Sequence, residues 1–272
     1  MTEEFFTSER IDRYAFLPFT ACEVTDKARL DRILQGKPCR AVCVFLIPYR
    51  VESAKGNLSR YAHARDYHLY FEGLCERAQG AFPAFLTGLA DRSPIHERSL
   101  ALKAGLGVRG KNGLLLNETY GSFCFIGVLL FSELPQDAVL RDPLPARDCV
   151  GCGACLAACP TQCLTDPKKP CLSALTQAKR LTEEEEELLK RSELIWGCDR
   201  CQEVCPVNRG ARQTPIPFFK EDLIESLTEE SLNDLIETGE WARRAYAWRG
   251  KDVLFRNLKL CTRARTPDTD QT

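Results

Sequence analysis

The chain has almost no net charge: 38 acidic residues stand against 37 basic ones, a formal balance of −1 over 272 residues. That balance gives no global attraction toward nucleic acid or an anionic membrane and leaves such roles to local patches. No run of about 18 apolar residues occurs, so no membrane-spanning helix is expected. The opening segment MTEEFFTSER is acidic and polar and lacks the pattern of a secretory signal. The expected location is the cytoplasm, where 15 cysteines point to metal rather than to disulfides. Histidine is scarce; His63, His68 and His96 are the only ones, each read first as a surface or hydrogen-bonded side chain. A hydrophobic fraction of 44% is enough for a proper core, in one large domain or two modest ones.

The cysteines are not scattered. Cys149, Cys152, Cys155 and Cys159-Pro160 form C-x-x-C-x-x-C-x-x-x-C-P, and Cys198, Cys201 and Cys205-Pro206 form a second, incomplete run. Thiolates two residues apart on a tight loop reach neighbouring irons of one cubane, and the cysteine before the proline crosses over to the other cluster. The pattern reads as two 4Fe–4S clusters. The first takes Cys149, Cys152, Cys155 and Cys205; the second takes Cys198, Cys201 and Cys159 and lacks one ligand. Cys171 and Cys163 are the candidates, and reach favours Cys171 because Cys163 crowds Cys159. Zinc held by C-x-x-C pairs is the alternative, but it has no need of a third cysteine at the same spacing or of the prolines. The other thiols, Cys22, Cys39, Cys43, Cys75, Cys124 and Cys261 among them, read as small apolar core residues.

Around this module the patterning changes. Ala41–Ile47 and Phe123–Phe131 are continuous apolar runs of the kind buried on both faces of a sheet. Helical patterns lie between them: Asp66–Gln79, closed by Gly80, and Glu97–Ala104, introduced by Ser93-Pro94 and closed by Gly105. Strand–helix alternation predicts an α/β domain. The expected organisation is an α/β domain over 1–145, a ferredoxin-like double-cluster domain over 146–212 and a helical segment over 213–272. Within the cluster domain, Thr182–Leu194 contains a run of five glutamates, read as a solvated helix face. Helices are expected at Leu227–Ile236, Glu240–Trp248 and Val253–Cys261, and disorder in the tail RARTPDTDQT. Arg243, Arg244, Arg249, Lys251, Arg256, Lys259, Arg263 and Arg265, interleaved with Trp241, Tyr246 and Trp248, form a basic stretch. It can bind phosphates and stack bases, or serve as the solvated face of a helix pair.

Several segments outside the cysteines resemble the epoxyqueuosine reductase family, the cobalamin-dependent iron–sulfur enzymes of queuosine tRNA maturation. They are Tyr61-Ala62-His63-Ala64-Arg65-Asp66-Tyr67-His68; Asp91-Arg92-Ser93-Pro94-Ile95-His96-Glu97-Arg98 with Lys103-Ala104-Gly105-Leu106-Gly107; Gly110-Lys111-Asn112; Gly121-Ser122-Phe123; Cys171-Leu172-Ser173-Ala174-Leu175-Thr176; and Gly197-Cys198-Asp199-Arg200-Cys201-Gln202. Arg249-Gly250, Leu254, Arg256 and Asn257 look like the start of the family's C-terminal helical repeats, of which the chain holds about one, a truncated HEAT-like segment. Ala64, Val108 and Val207 stand where the family usually has glycine, tryptophan and tryptophan.

The resemblance implies cobalamin cycling through its cob(I) form, electrons supplied singly by the two clusters from an external low-potential donor, and tRNA as partner. It supports Cys171 as the missing ligand. No D-x-H-x-x-G motif is present, so a histidine below cobalt is not indicated. Asp91 corresponds to the family's general acid; to be protonated near neutrality it is expected to be desolvated, though an aspartate there can simply cap a turn. Asp66, His68, Asp91, Lys111, Asn112 and Ser173 are the implied cofactor contacts. Ordinary roles stand beside them: Asp66 at a helix start, Lys111 solvated, and Ser173 bonded to its own backbone. The expected activity is reduction of epoxyqueuosine in tRNA. A corrinoid reductase with a non-tRNA substrate and a non-catalytic, ferredoxin-like electron carrier are the rival readings.

Overall fold

In the computed structural model, which describes residues 1–52, 55–91 and 93–263, the chain packs into two units interleaved in sequence. One comprises Met1–Arg50, His68–Cys152 and Val207–Pro217; the other comprises Val51–Tyr67, Gly153–Pro206 and Phe218–Thr272. The segments 1–145, 146–212 and 213–272 follow chain order, whereas these units follow packing.

The first unit contains α1 (Thr2–Ser8), β1 (Tyr14–Pro18), α2 (Lys27–Leu34), β2 (Ala41–Pro48), α3 (Tyr67–Ala81), β3 (Phe85–Ala90), α4 (Glu97–Lys103), β4 (Val108–Arg109), β5 (Leu115–Leu116) and β6 (Cys124–Phe131). Four strands form a sheet in the order β1-β2-β6-β3, and every ladder is antiparallel. β2 is buried at every position because it is an inner strand covered on both faces. On one face Val42, Val44 and Leu46 pack with Leu30 of α2 and Leu100 and Ala101 of α4. On the other, aromatic rings fill the layer. Phe6 of α1 stacks on Tyr14 with ring centroids 4.0 Å apart, Phe45 meets Phe71 of α3 at 6.3 Å, and Phe131 meets Phe82 at 5.6 Å. The mixed α/β layering expected from the two apolar runs is therefore present.

Two helix boundaries depart from expectation. Ser93-Pro94 does not cap α4. His96 does, its Nδ1 accepting from the Ser99 N–H at 3.1 Å. Pro94 instead sits in a loop pinned by the N–H groups of Thr25 and Asp26, 2.8 and 3.2 Å from its carbonyl. α3 runs through Gly80 to Ala81, because Phe82 beyond it is drawn into the aromatic layer and its N–H still bonds to the Ala78 carbonyl at 2.9 Å. Packing here outweighs the helix-breaking tendency of glycine.

The second unit is helical: α5 (Ala154–Ala157), α6 (Leu172–Gln177), α7 (Glu183–Ser192), α8 (Arg200–Glu203), α9 (Glu229–Glu237) and α10 (Lys251–Arg263). The glutamate run forms α7, closed at its head by a capping box between Thr182 and Glu185. Four glutamates in that first turn also suit the positive end of the helix dipole. α10 packs on α6 and α7, and Trp196, Tyr246, Leu232 and Leu254 form a fully buried centre, with the Trp196 and Tyr246 rings edge to face at 6.2 Å. The expected helix over Glu240–Trp248 is two 3-10 turns, Glu240–Arg243 and Ala247–Arg249. From Ala264 on, the tail lies outside the described residues. Among the described residues no helix is long and apolar enough to cross a membrane.

Candidate functional site

The cysteine loops of the second unit are set by residues that carry no chemistry themselves. Gly197, just before Cys198, has φ +73°, and a Cβ there would fall 2.4 Å from Ser59 Cβ; only glycine fits. Its N–H donates to Thr176 Oγ1 at 2.9 Å. Asp199, buried between Cys198 and Cys201, accepts from the Ser59 hydroxyl at 2.6 Å, the Arg60 N–H at 2.8 Å and Gln202 Nε2 at 2.8 Å. Asn257 of α10, fully buried, donates to the carbonyls of Thr176 and Ile195 at 2.8 and 2.9 Å. α6 and the Cys198 loop are thereby tied to the C-terminal helix, a satisfied network of the kind that rigidifies a core.

Cys159 follows α5, Cys171 stands at the head of α6, Cys198 precedes α8 and Cys201 lies within it. Cys159 Sγ lies 3.5 Å from Cys163 Sγ and 3.7 Å from Thr161 Oγ1. The exposed Cys171 is close enough for its charge to act on both Cys163 and Cys198. Burial pushes Cys163 and Cys198 each up to about 11. Burial also disfavours the Cys159 thiolate, but hydrogen bonds from Thr161, Leu164 N–H and Cys163 outweigh it and hold this thiol below its ordinary value.

In the first unit, the β4–β5 hairpin anchors the start of the first cysteine run. Arg109 N–H donates to Arg147 O at 2.7 Å, and Cys149 N–H to Arg109 O at 2.9 Å. Gly151 has φ +71°, and a Cβ on it would touch Lys111 Cε at 3.5 Å, so the Lys111 side chain lies over this loop. Cys152 is exposed. Cys155 lies within α5 of the second unit, where Cys205 is buried and donates its N–H to Gln202 O at 3.1 Å. Among the described residues no three His, Cys, Asp or Glu side chains close around a single-ion position. All 15 cysteines are free of disulfides. Burial lifts Cys22 and Cys75 to about 12 and Cys39 to about 11, which makes them inert thiols.

Asp91, Glu97 and His68 form an acid cluster in the first unit. Asp91 is exposed, with φ +50°. The expectation that it is desolvated is corrected: Asp91 is solvent-exposed, and the buried carboxyl oxygen belongs to Glu97. Burial and then the charge of Asp91 push Glu97 up to about 7, against hydrogen bonds from the Asp91 N–H and the Ser93 hydroxyl and the charge of His68. Glu97 Oε1 is buried with no partner. Sequence reasoning placed Glu97 at a helix start and within the Asp91–Arg98 motif but gave it no chemical role. The hairpin tip stands against the same helix, since the Arg98 guanidinium donates to the Gly113 carbonyl. At that tip Asn112 Oδ1 accepts from Leu114 N–H at 3.2 Å, while its buried Nδ2 has no partner.

The other singled-out residues have local roles. Asp66 stands directly before α3 and donates its N–H to Arg243 O at 2.8 Å. Ser173 bonds within α6, its carbonyl accepting from Thr176 Oγ1 at 2.8 Å and its hydroxyl from Gln177 Nε2 at 3.4 Å. His63 is buried, with Nε2 3.1 Å from Leu58 O. The basic stretch is only partly a surface. Arg244 is buried and donates to Asp222 O at 2.7 Å, Arg256 donates to Ala178 O at 2.8 Å, and Tyr246 is core. Arg243, Lys251, Lys259 and Trp248 remain exposed, with the Arg249 guanidinium 4.3 Å over the Trp248 ring.

An α/β sheet unit joined in sequence to double-cluster cysteine loops and a helical unit defines a two-cluster iron–sulfur protein, and residues 148–208 match the family of the 4Fe-4S double cluster binding domain. Among curated proteins the chain is 37% identical over 182 residues to the epoxyqueuosine reductase of Francisella cf. novicida (63% of this chain, 50% of the relative). It is 32% identical over 228 residues to that of Lactococcus garvieae (78% and 62%). The fold matches the epoxyqueuosine reductase of Streptococcus thermophilus at TM-score 0.69 and 24% identity, over 98% of this chain and 81% of that one. It also matches an epoxyqueuosine reductase solved with an epoxyqueuosine-modified tRNA-Tyr stem loop, at TM-score 0.72 and 22% identity over 96% and 80%, and one from Bacillus subtilis with its catalytic aspartate loop swung out of the active site, at TM-score 0.69 and 22% identity over 96% and 80%. Over these lengths the chain is similar to the epoxyqueuosine reductases in sequence, and its fold matches theirs. It spans about half the length of the curated relatives it matches, 50% and 62% for the first two.

Proposed function

We propose that this protein reduces epoxyqueuosine in tRNA to queuosine in the cytoplasm, with two 4Fe–4S clusters, cobalamin and an external low-potential electron donor. The observation that carries the reading is the acid cluster: an exposed Asp91 beside a buried Glu97 held at about 7, in a chain whose cysteine loops match a double-cluster domain. Removing the epoxide oxygen as water consumes two electrons and two protons; the clusters, when bound, would supply the electrons singly. Asp91 donates a proton to the oxygen as the carbon–oxygen bond breaks, a contribution worth roughly 10²–10⁴-fold, and Glu97 is placed to restore it.

Cys149, Cys152, Cys155 and Cys205 are assigned to one cluster and Cys159, Cys171, Cys198 and Cys201 to the other. For cobalamin, the partnerless buried Asn112 Nδ2 and Glu97 Oε1 fit a ligand rich in amides and a phosphate. Lys111, Asn112 and His68 are the residues proposed to hold it, with Asp66 and Ser173 as further contacts of the family pattern. When bound, the group supplies a strongly reducing cobalt centre.

The test is Asp91→Asn in anaerobically prepared, cofactor-loaded protein given epoxyqueuosine-modified tRNA. Cluster and cobalamin reduction are expected to persist while queuosine formation falls at least 10²-fold; unchanged turnover refutes the role. A related corrinoid reductase with a non-tRNA substrate is favoured by one observation: Arg244 and Arg256 are engaged with backbone carbonyls, which thins the basic surface available to phosphates. Failure on free nucleoside, stem loop and full tRNA alike, with cobalamin bound, selects it.

A further inference from the structure

Cys163 has no place in the eight-cysteine assignment, yet it is not an idle thiol. Its Sγ lies 3.5 Å from Cys159 Sγ, and Thr161 Oγ1 lies 3.7 Å from the same sulfur on another side. As a cluster ligand, Cys159 is a thiolate and has no proton to give. The direction of both side-chain bonds then follows: Thr161 O–H and Cys163 S–H must donate, and the Cys159 sulfur accepts. Two side-chain donors converge on one ligating atom.

The equivalent place in the other run is different. After Cys159 come Pro160, Thr161, Gln162 and Cys163; after Cys205 come Pro206, Val207, Asn208 and Arg209. Valine offers no donor where Thr161 does, and Arg209, where Cys163 would be, is exposed. The two clusters therefore differ in the hydrogen bonding of their crossed-over sulfurs.

We propose that Cys163, with Thr161, is a potential-setting residue that makes the second cluster the easier of the two to reduce, so that a single incoming electron rests there. Reduction of a cluster adds one electron, and part of the added negative charge falls on the ligating sulfurs. Donors to those sulfurs favour the reduced form. The reductant is any one-electron donor of sufficiently low potential, dithionite in the test. The inference rests on Cys159 as a ligand and is independent of the substrate.

The experiment is an anaerobic redox titration followed by electron paramagnetic resonance, with iron and sulfide analysis, on wild type, C163A, C163S, T161V and C159A. C163A is expected to keep full iron and to lower the midpoint of one cluster only. The reduced-to-oxidised ratio at fixed potential should fall roughly three- to fivefold, about 30–40 mV at 59 mV per tenfold. T161V should move the same cluster the same way, and C163S, which retains a donor, should recover part of the shift. Full iron with unmoved midpoints overturns the proposal, as does an equal shift of both clusters. Loss of one cluster's iron in C163A also overturns it, by making Cys163 a ligand. C159A retaining all its iron removes the ligand assignment beneath it.

Discussion

Replacing Glu97 by glutamine tests the acid cluster without any substrate. An unfolded chain holds this carboxyl near 4.5, whereas the folded protein holds it at about 7 through burial and the neighbouring Asp91. A carboxyl raised on folding stabilises the protein fully below the unfolded value, and that stability is lost as pH climbs through the folded value. Above pH 7 the folded state must carry an ionised, poorly solvated carboxylate. The whole displacement corresponds to about 3 kcal/mol at 1.36 kcal/mol per pH unit. By pH 5.5 the unfolded chain is already ionised, so about 2 kcal/mol of it falls between pH 5.5 and 8. Glutamine has no charge to bury. The stability advantage of E97Q over wild type should therefore widen by about 2 kcal/mol across that range, roughly 4–8 °C in melting temperature for a chain of this size. Melting curves of anaerobically prepared protein at pH 5.5, 6.5 and 8 read this directly. Asp91, Ser93 and His68 are the groups facing the carboxyl, so an Asp91→Asn background should narrow the effect. A gap that stays constant with pH, or shrinks as pH rises, refutes the burial argument.

The cluster loops and the sheet give two further expectations. Gly197→Ala forces a side chain into a left-handed backbone 2.4 Å from Ser59 Cβ. It should cost about 2–5 kcal/mol and lower bound iron toward one cluster per chain; full iron with an unchanged melting temperature would show that the loop does not need this conformation. Phe6→Ala empties a fully buried site in the aromatic layer and should cost about 3–5 kcal/mol in chemical denaturation. A loss below about 1 kcal/mol would mean that the layer repacks.

Much of this was legible along the chain. The two apolar runs became inner strands β2 and β6, since a strand covered on both faces has no use for alternation. The cysteine runs pointed to a double-cluster domain because ligand spacing on a tight loop is a local property. Helix ends were harder to read: α3 passed through Gly80 because a phenylalanine beyond it was needed in the core, and His96 displaced Ser93 as the cap of α4. The basic stretch was only partly readable for a related reason. Charge is visible in sequence, but the carbonyls that claimed Arg244 and Arg256 come from residues distant in the chain.

By itself, then, the sequence pointed to a double-cluster domain and to the segments that must be buried, since short-range geometry and hydrophobicity travel with the residues. Which carboxyl is buried, Glu97 rather than Asp91, and which thiol leans on the Cys159 sulfur were decided only by tertiary structure. Desolvation and side-chain hydrogen bonding depend on what the rest of the fold brings alongside.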